Sequence, residues 1–353
     1  MNPAPPLLYA PGALNQVGAL ARDLGFRRTL IVADHGMEFA GHIGSLIATL
    51  SAAGVECSPW SNFGANPDSA MIEHGRLFAS HLGIDSIIGL GGGSSLDAAK
   101  GINFVLTNGG TMKDYWGYGK ATKPLLPMIG IPATTGTGSE AQSYALISDP
   151  ATHVKMACGD PMASFRYAVL DPLLTLSQPA AVRAAAGYDA ISHAVESYVT
   201  TKRSQASQLF SRQAWQLLPE SFAAPASLQS NANLQLGAWF AGCAIEASML
   251  GAAHACANPL TARFGITHGV AIAIMLPHVV RWNNCPEYAD LHPNLSSYLA
   301  ELAVGLALPL RECGVTMEVL PQLAEDAAQQ WTGRHNPRPF DAPAALELYQ
   351  CAF

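Results

Sequence analysis

Two hydrophobic patterns follow one another along the chain. Up to about residue 133, short apolar runs alternate with segments of helical spacing at 14–24, 43–53, 68–82 and after the sequence GGGS. The apolar runs are TLIVAD (29–34), DSIIGL (85–90) and PMIGIPATT (127–135). Strands that alternate with helices are typical of a parallel sheet covered by helices. The pattern therefore predicts an α/β fold for this part.

After LDPLLTLSQP (170–179) the strand signals end and the remaining apolar residues follow helical spacing, as in VRAAAGYDAISHAVESYVT and LQLGAWFAGCAIEASML. We therefore predict an α/β domain over residues 1–178 and an all-helical domain over residues 179–353. Residues 107–127 are rich in Gly, Lys and aromatic residues without a period, which predicts a surface excursion or hairpin near the sheet edge.

Composition narrows the classes of function. The chain has 353 residues and a formal net charge of -7, with no basic run of the kind that nucleic acids or anionic membranes require. The seven cysteines are scattered and form no CxxC pair, which indicates a reducing compartment. The N-terminus lacks the features of a signal peptide, and VAIAIMLPHVV is too short to span a bilayer. We expect a cytoplasmic protein that acts on small molecules.

A glycine loop follows the second apolar run. Gly91, Gly92 and Gly93 come directly after it, and Ser94 is expected to open a helix with Asp97 close to a capping box. Glycines let a phosphate approach the backbone, and the helix N-terminus offers it free N–H groups. A tight turn from strand to helix without any ligand also explains such glycines.

An acidic residue ends the first apolar run. Asp34 precedes the glycines, whereas the usual dinucleotide fingerprint has its acidic residue about 20 positions after them. If both belong to one site, the fold has another nucleotide-binding topology. A carboxylate there can accept hydrogen bonds from the ribose hydroxyls and repel a 2′-phosphate, which favours NAD over NADP. The alternative is that Asp34 only caps the next helix.

A loop rich in threonine follows the third apolar run. IPATTGTGSE (131–140) places Thr134, Thr135 and Thr137 where hydroxyls and exposed amides suit a phosphate or nicotinamide. A polar turn without a ligand is the alternative.

Four residues are candidate metal ligands. Asp189 and His193, at i and i+4, lie on one face of a predicted helix, which by itself is also compatible with an ordinary polar pair. His254 and His268 stand in apolar, glycine-rich runs. One carboxylate and three imidazoles suit divalent Fe, Zn or Co and leave a position open for an alcohol oxygen.

These residues resemble the iron-containing (group III) alcohol dehydrogenases, relatives of glycerol dehydrogenase, maleylacetate reductase and dehydroquinate synthase. The matching stretches extend over nearly the whole chain and include PGAL, IVAD, GANPD, GGGSSLDAAKG, PATTGTGSE, GYDAISHAVES, THGVAIAIMLPHVVRWN and NPRPF.

The resemblance implies a dehydroquinate synthase-like fold, with an NAD-binding domain, a helical metal-binding domain and hydride transfer in the cleft between them. The implied metal and catalytic residues are Asp189, His193, His254 and His268. The implied cofactor-binding residues are Asp34, Asn66, Gly92, Gly93, Ser94, Thr134, Thr135, Thr137 and Lys155. A homodimer is implied as well.

Two features depart from the family. Many members have a further histidine four residues after the third ligand, but here Asn258 stands at that position, and an amide cannot act as a general acid or base. A proton must then leave through water, a ribose hydroxyl or another side chain such as His278. The chain is also shorter than typical members after about residue 285.

We therefore expect an NAD-dependent alcohol dehydrogenase or aldehyde reductase with Fe2+ or Zn2+, acting on a small alcohol or aldehyde. Three alternatives remain open. They are a metal-independent reductase similar to maleylacetate reductase, a lyase similar to dehydroquinate synthase, and a non-catalytic NAD sensor.

Overall fold

The computed structural model describes residues 4–152 and 154–353, which form two compact units. The first ends at Gln178 and the second extends from Pro179 to Phe353. The first unit has two apolar cores, one on each side of its main sheet, and the second has a single core.

The first unit contains two sheets. The strands are β1 (Leu7–Tyr9), β2 (Arg28–Ala33), β3 (Glu56–Trp60), β4 (Ser86–Gly91), β5 (Gly117–Tyr118), β6 (Met128–Pro132), β7 (Tyr144–Ser148), β8 (Lys155–Gly159) and β9 (Tyr167–Leu170). The main sheet is parallel throughout, in the order β1-β9-β6-β4-β2-β3. In the small sheet, of order β5-β8-β7, only β7 and β8 are antiparallel.

Helices of the first unit connect the strands of the main sheet. They are α1 (Val17–Asp23), α2 (His35–Phe39), α3 (His42–Ala52), α4 (Ser69–Ser80) and α5 (Gly93–Asn108). Short 3-10 turns lie at Ala13–Gln16, Met112–Tyr115, Ser139–Ala141, Pro161–Ala163 and Leu174–Ser177.

Asp171 joins the two ends of the first unit. Its carboxylate follows β9 and accepts hydrogen bonds from the backbone N–H groups of Gly12 and Leu14, at 2.9 and 3.0 Å. The pairing of β1 with β9 is therefore reinforced by a side chain.

The second unit is helical throughout its described residues. Its helices are α6 (Ala180–Val199), α7 (Gln205–Ala223), α8 (Leu228–Ala247), α9 (Ala252–Phe264), α10 (His268–Asn283), α11 (Leu295–Leu302), α12 (Leu320–Ala328) and α13 (Ala342–Ala352). Short 3-10 turns lie at Pro286–Asp290, Leu310–Cys313, Met317–Val319 and Trp331–His335. Within the described ranges no single helix could span a membrane, although α8 and α9 together, bent by 106°, pass by length and composition.

Helices α6 and α10 approach each other very closely. A methyl group added at Gly269 would lie 2.0 Å from the backbone oxygen of Ala185, closer than non-bonded atoms can approach. The absence of a side chain at Gly269 thus sets the distance between the two helices.

This architecture confirms the predicted fold class. The expectation for residues 107–127 was wrong in part, because β5 does not form a hairpin but joins β8 in parallel. Met112, Tyr115 and Leu125 from this segment are buried in the core of the first unit, so the segment is anchored.

Candidate functional site

Three loops meet at one edge of the main sheet. Asp34 follows β2, the glycine loop follows β4, and the threonine loop follows β6. Because β4 pairs in parallel with both β2 and β6, these loops leave the sheet side by side. This is the edge at which parallel α/β sheets bind ligands.

The loops are packed so closely that their glycines are required. A methyl group at Gly91 would lie 3.0 Å from Asp34 Oδ2, and one at Gly93 would lie 2.8 Å from Thr137 Oγ1. Gly91 also has φ +139°, a backbone conformation that residues other than glycine rarely adopt. The structure therefore brings the candidate residues of all three loops together.

Asp34 has a structural role of its own. Its Oδ1 accepts the backbone N–H of Met37 and caps α2, and its Oδ2 accepts the hydroxyl of Ser95 at 3.0 Å. The capping interpretation is thus correct, while a contact with ribose stays a prediction. The two roles are compatible because a carboxylate can accept about four hydrogen bonds.

The capping box expected for the helix after the glycine loop was wrong. Helix α5 begins at Gly93, so the N-cap is Gly92, which has no side chain. Ser94 Oγ instead accepts the backbone N–H of Asn66 at 3.2 Å. Asp97 accepts the hydroxyl of Ser139 at 2.6 Å and the backbone N–H of Leu146.

Lys155 lies at the start of β8 in the small sheet. Burial raises the pKa of Asp97, and the charges of Lys100 and Lys155 oppose that increase, so Lys155 lies within electrostatic reach of α5. The buried residue Thr135 approaches Gln178, with 3.4 Å between the side-chain oxygens. The roles of Lys155 and Thr135 toward a cofactor stay predictions.

The metal candidates converge in the helical unit. Asp189 and His193 lie on α6, His254 lies in the first turn of α9, and His268 is the first residue of α10. The Nε2 atoms of His193, His254 and His268 lie 3.4, 3.4 and 3.8 Å from Asp189 Oδ1. Asp189, His254 and His268 form a group whose ligand atoms lie within 4.8 Å of one another; His193 lies outside this group.

The donor set fits a divalent metal ion. Metal–ligand bonds of about 2.1 Å in a tetrahedral site place the ligand atoms about 3.4 Å apart, which is the distance from Asp189 Oδ1 to the Nε2 atoms of His193 and His254. Asp189 Oδ1 and His254 Nε2 are buried and have no hydrogen-bond partner among the residues that the structure describes. Buried polar atoms without partners are costly, and a shared cation would satisfy both.

The electrostatics of the cluster favour an ionised Asp189 and a neutral His193, the forms that bind a metal ion. Burial alone would raise the pKa of Asp189, but the imidazoles of His193, His268 and His254 outweigh it and lower this pKa. Burial lowers the pKa of His193, which favours its neutral form. Burial would also lower the pKa of His254, but the carboxylates of Glu196 and Asp189 outweigh it and raise this pKa to about 9, so this imidazole must release a proton before it can bind a metal ion.

Two residues around His254 received no role from the sequence. His254 Nδ1 forms a hydrogen bond with Glu196 Oε2, and Asn336 Oδ1 accepts the backbone N–H of Ala252. Glu196 follows His193 by three residues and is charged within an apolar helix, a signal that could have identified it. Asn336 belongs to the segment NPRPF, which resembles the family but received no role from the sequence.

Position 258, where many family members have a histidine, has no titratable side chain in this protein. Asn258 Nδ2 donates to Gln330 Oε1 at 3.1 Å, so two amides pair at this point of α9. Burial lowers the pKa of His278 on α10. A proton relay through His278 stays a prediction.

Comparison with known proteins agrees with this arrangement. Residues 4–172 match the model of the family described as iron-containing alcohol dehydrogenase, and residues 183–301 match the C-terminal model of the same family. The chain belongs to the iron-containing alcohol dehydrogenase family. Membership confirms the resemblance drawn from the sequence and makes the chain an oxidoreductase of the alcohol dehydrogenase type.

Relatives of this iron-type dehydrogenase match along nearly their whole length. The chain is 30% identical to 1,3-propanediol dehydrogenase from Citrobacter freundii, over 98% of this chain and 96% of the relative. It is 28% identical to NAD-dependent methanol dehydrogenase from Bacillus methanolicus, over 95% and 94%. A crystal structure of 1,3-propanediol oxidoreductase has 28% identity, a TM-score of 0.94 and full coverage of both chains.

Proposed function

We propose that this protein is an NAD-dependent, divalent-metal-dependent enzyme that interconverts small alcohols and aldehydes. The observation that carries the proposal is the cluster of three imidazoles around one oxygen of Asp189 in the helical unit. The loops of Asp34, Gly92 and Thr134 at the sheet edge support the dinucleotide part. The names of the relatives support the substrate class.

Different side chains would bind the metal ion, bind the cofactor and transfer the proton. Asp189, His193, His254 and His268 would hold a metal ion, Fe2+ or Zn2+. When bound, the ion would supply Lewis acidity at the substrate oxygen, and the nicotinamide would supply or accept the hydride. Asp34 orients the adenosine ribose, and the amides at the start of α5 bind the pyrophosphate. Asn258 cannot donate or accept a proton at ordinary pH, so water, a ribose hydroxyl or another side chain such as His278 would carry the proton.

The test combines metal analysis with a substrate panel. Protein purified without oxygen should contain about one Fe or Zn per chain and reduce small aldehydes with NADH more readily than with NADPH. His268→Ala should abolish turnover and leave NADH binding nearly unchanged, because His268 lies in the helical unit. His292→Ala, which changes a histidine stacked on Tyr298, should retain wild-type turnover.

Two outcomes would overturn the proposal. Undiminished turnover after complete metal removal would indicate a metal-independent reductase, similar to maleylacetate reductase. Absence of NADH oxidation with every aldehyde in a metal-loaded preparation would indicate a lyase or a sensor.

We also propose that the enzyme is a homodimer in the cytoplasm. The family resemblance supports the dimer, and the scattered cysteines support a reducing compartment. Light scattering of the purified protein would measure the first, and fractionation of the source cells the second.

A further inference from the structure

Glu196 is a buried carboxylate that has no place in the function proposed above. It lies on α6, seven residues after Asp189 and three after His193, and only 3% of its surface is exposed. A buried charge of this kind is expensive unless its oxygens are fully hydrogen-bonded. Both oxygens of Glu196 are used, and both face helix α9.

One oxygen of Glu196 contacts the ring of His254. Glu196 Oε2 forms a hydrogen bond with His254 Nδ1, and His254 is 5% exposed. An ionised carboxylate only accepts hydrogen bonds, so Nδ1 must carry the proton. In the neutral ring the lone pair is then on Nε2, which lies 3.4 Å from Asp189 Oδ1.

The other oxygen holds the first turn of α9. Glu196 Oε1 accepts the backbone N–H groups of Gly251 and Ala253, at 3.1 and 2.8 Å. Helix α9 has no capping side chain of its own, because its N-cap is Gly251. A methyl group at Gly251 would lie 3.0 Å from Glu196 Oε1, so the glycine permits this approach.

We propose that Glu196 is a positioning residue that fixes His254 in its Nδ1–H tautomer and holds the helix that carries it, so that Nε2 is preset as a metal ligand. The inference rests on the proposed metal site. Metal-bound histidines generally donate their second N–H to a carboxylate or carbonyl, and loss of that partner weakens metal binding about 10- to 100-fold.

Glu196→Gln separates the two roles of the carboxylate. Two backbone N–H groups will hold the amide oxygen at the position of Oε1, so the NH2 group must face His254 Nδ1. His254 Nδ1 must then accept a hydrogen bond from this NH2 group. The ring proton therefore moves to Nε2, where it blocks the ligand position. The cap on α9 is thus retained while the tautomer is reversed.

Two measurements follow from this design. In metal-free protein at pH 10, 15N NMR of labelled histidines should show His254 protonated at Nδ1 in the wild type and at Nε2 in Glu196→Gln. Co2+ binding, measured by competition with a chelator, should be about 10- to 100-fold weaker in the variant. Gly251→Ala, which displaces the carboxylate by its added methyl group, should weaken Co2+ binding as well.

Asn336→Ala is the matched control. Asn336 accepts the backbone N–H of Ala252 in the same turn of α9, at 3.2 Å, whereas the ring of His254 forms its hydrogen bond with Glu196. This variant should lower the melting temperature and leave Co2+ affinity within about threefold of wild type. A purely structural role of Glu196 predicts instead that both variants lose stability and affinity in parallel.

The outcomes are distinct from those of the proposed function. An unchanged His254 tautomer in Glu196→Gln, or wild-type Co2+ affinity in that variant, would overturn the inference. Failure of the wild type to bind Co2+ would overturn the proposed metal site, while the NMR result in metal-free protein would still decide the role of Glu196.

Discussion

Three carboxylates in this chain differ in chemistry because their surroundings differ. Asp189 faces three imidazoles, which outweigh its burial and lower its pKa. Asp34 accepts a backbone N–H and a hydroxyl and caps a helix. Glu140 is 1% exposed, and its Oε2 has no partner among the described residues; its burial raises the pKa to about 7.

Glu140 makes stability depend on pH. The folded protein retains the Glu140 proton up to about pH 7, whereas the unfolded chain loses it above the ordinary value near 4.5. The folded state therefore binds more protons between these values, and its free energy of unfolding falls as pH rises, by up to about 3 kcal/mol. Urea unfolding at pH 5 and pH 8 should show this loss, and Glu140→Gln should remove it.

The exposed residue Glu220 provides the control for this experiment. Glu220→Gln should retain the pH dependence of the wild type, because its carboxylate stays in water in both states. Parallel pH profiles for wild type and Glu140→Gln would contradict the interpretation.

Asp34→Ser should relax the choice of coenzyme. Serine still caps α2, but it removes the charge that would repel a 2′-phosphate. The ratio of kcat/KM with NADPH to that with NADH should rise at least about tenfold, since a charge–charge repulsion of about 1.4 kcal/mol is lost. Asp341→Ser, the same change at the cap of α13, should leave the ratio unchanged. Equal ratios in both variants would remove Asp34 from the ribose site.

At the scale of elements, the sequence predicted what periodicity encodes. The buried strands β2, β4 and β6 are continuous apolar runs and were identified, as were α3, α4, α6 and α8. Strand β3 was missed because ECSPW is a half-exposed edge strand that contains Pro59. Strands β7 and β8 form a local antiparallel hairpin and were missed because their short sequences, YALIS and KMACG, show no alternation of apolar and polar residues.

The candidate site was also predicted only in part from the sequence. Ligand types and the i,i+4 spacing of Asp189 and His193 are visible in the sequence. Glu196 was not assigned, because its partners on α9 lie more than fifty residues away along the chain. Spacing can place residues on one helical face, but only the packing of α6 against α9 shows what that face contacts.

Gly269→Ala should disturb the site through the helices rather than through a ligand. The added methyl group would lie 2.0 Å from the backbone oxygen of Ala185, so α10 must move away from α6. The free energy of unfolding should fall by about 1–3 kcal/mol, and Co2+ affinity should fall because His268 moves with the helix. Urea unfolding and chelator competition would measure the two effects.

Gly44→Ala is the control for this prediction. Its added methyl group has open space on α3, and alanine favours a helix over glycine, so stability should rise by up to about 1 kcal/mol. Wild-type Co2+ affinity in Gly269→Ala would show that α10 absorbs the methyl group without moving His268.

At the scale of the whole molecule, the ligands of the two units should protect different segments. A metal ion should slow hydrogen exchange in α6, α9 and α10, and NADH should slow it in the loops after β2, β4 and β6. A ligand at one hundred times its Kd stabilises the native state by about 2.7 kcal/mol. Hydrogen exchange measured by mass spectrometry can detect a change of this size. If NADH slowed hydrogen exchange only in the helices of the second unit, the assignment of the sheet-edge loops to cofactor binding would be contradicted.

The pairing of β1 with β9 has a consequence for synthesis on the ribosome. Strand β1, Leu7–Tyr9, has its partner at Tyr167–Leu170, about 160 residues later, and the carboxylate that secures the junction is Asp171. The nascent α/β unit therefore cannot complete its sheet until about residue 171 has left the exit tunnel. Its edge strand must stay unpaired during that interval, and the nascent chain is open to association with other chains or with chaperones until Asp171 arrives.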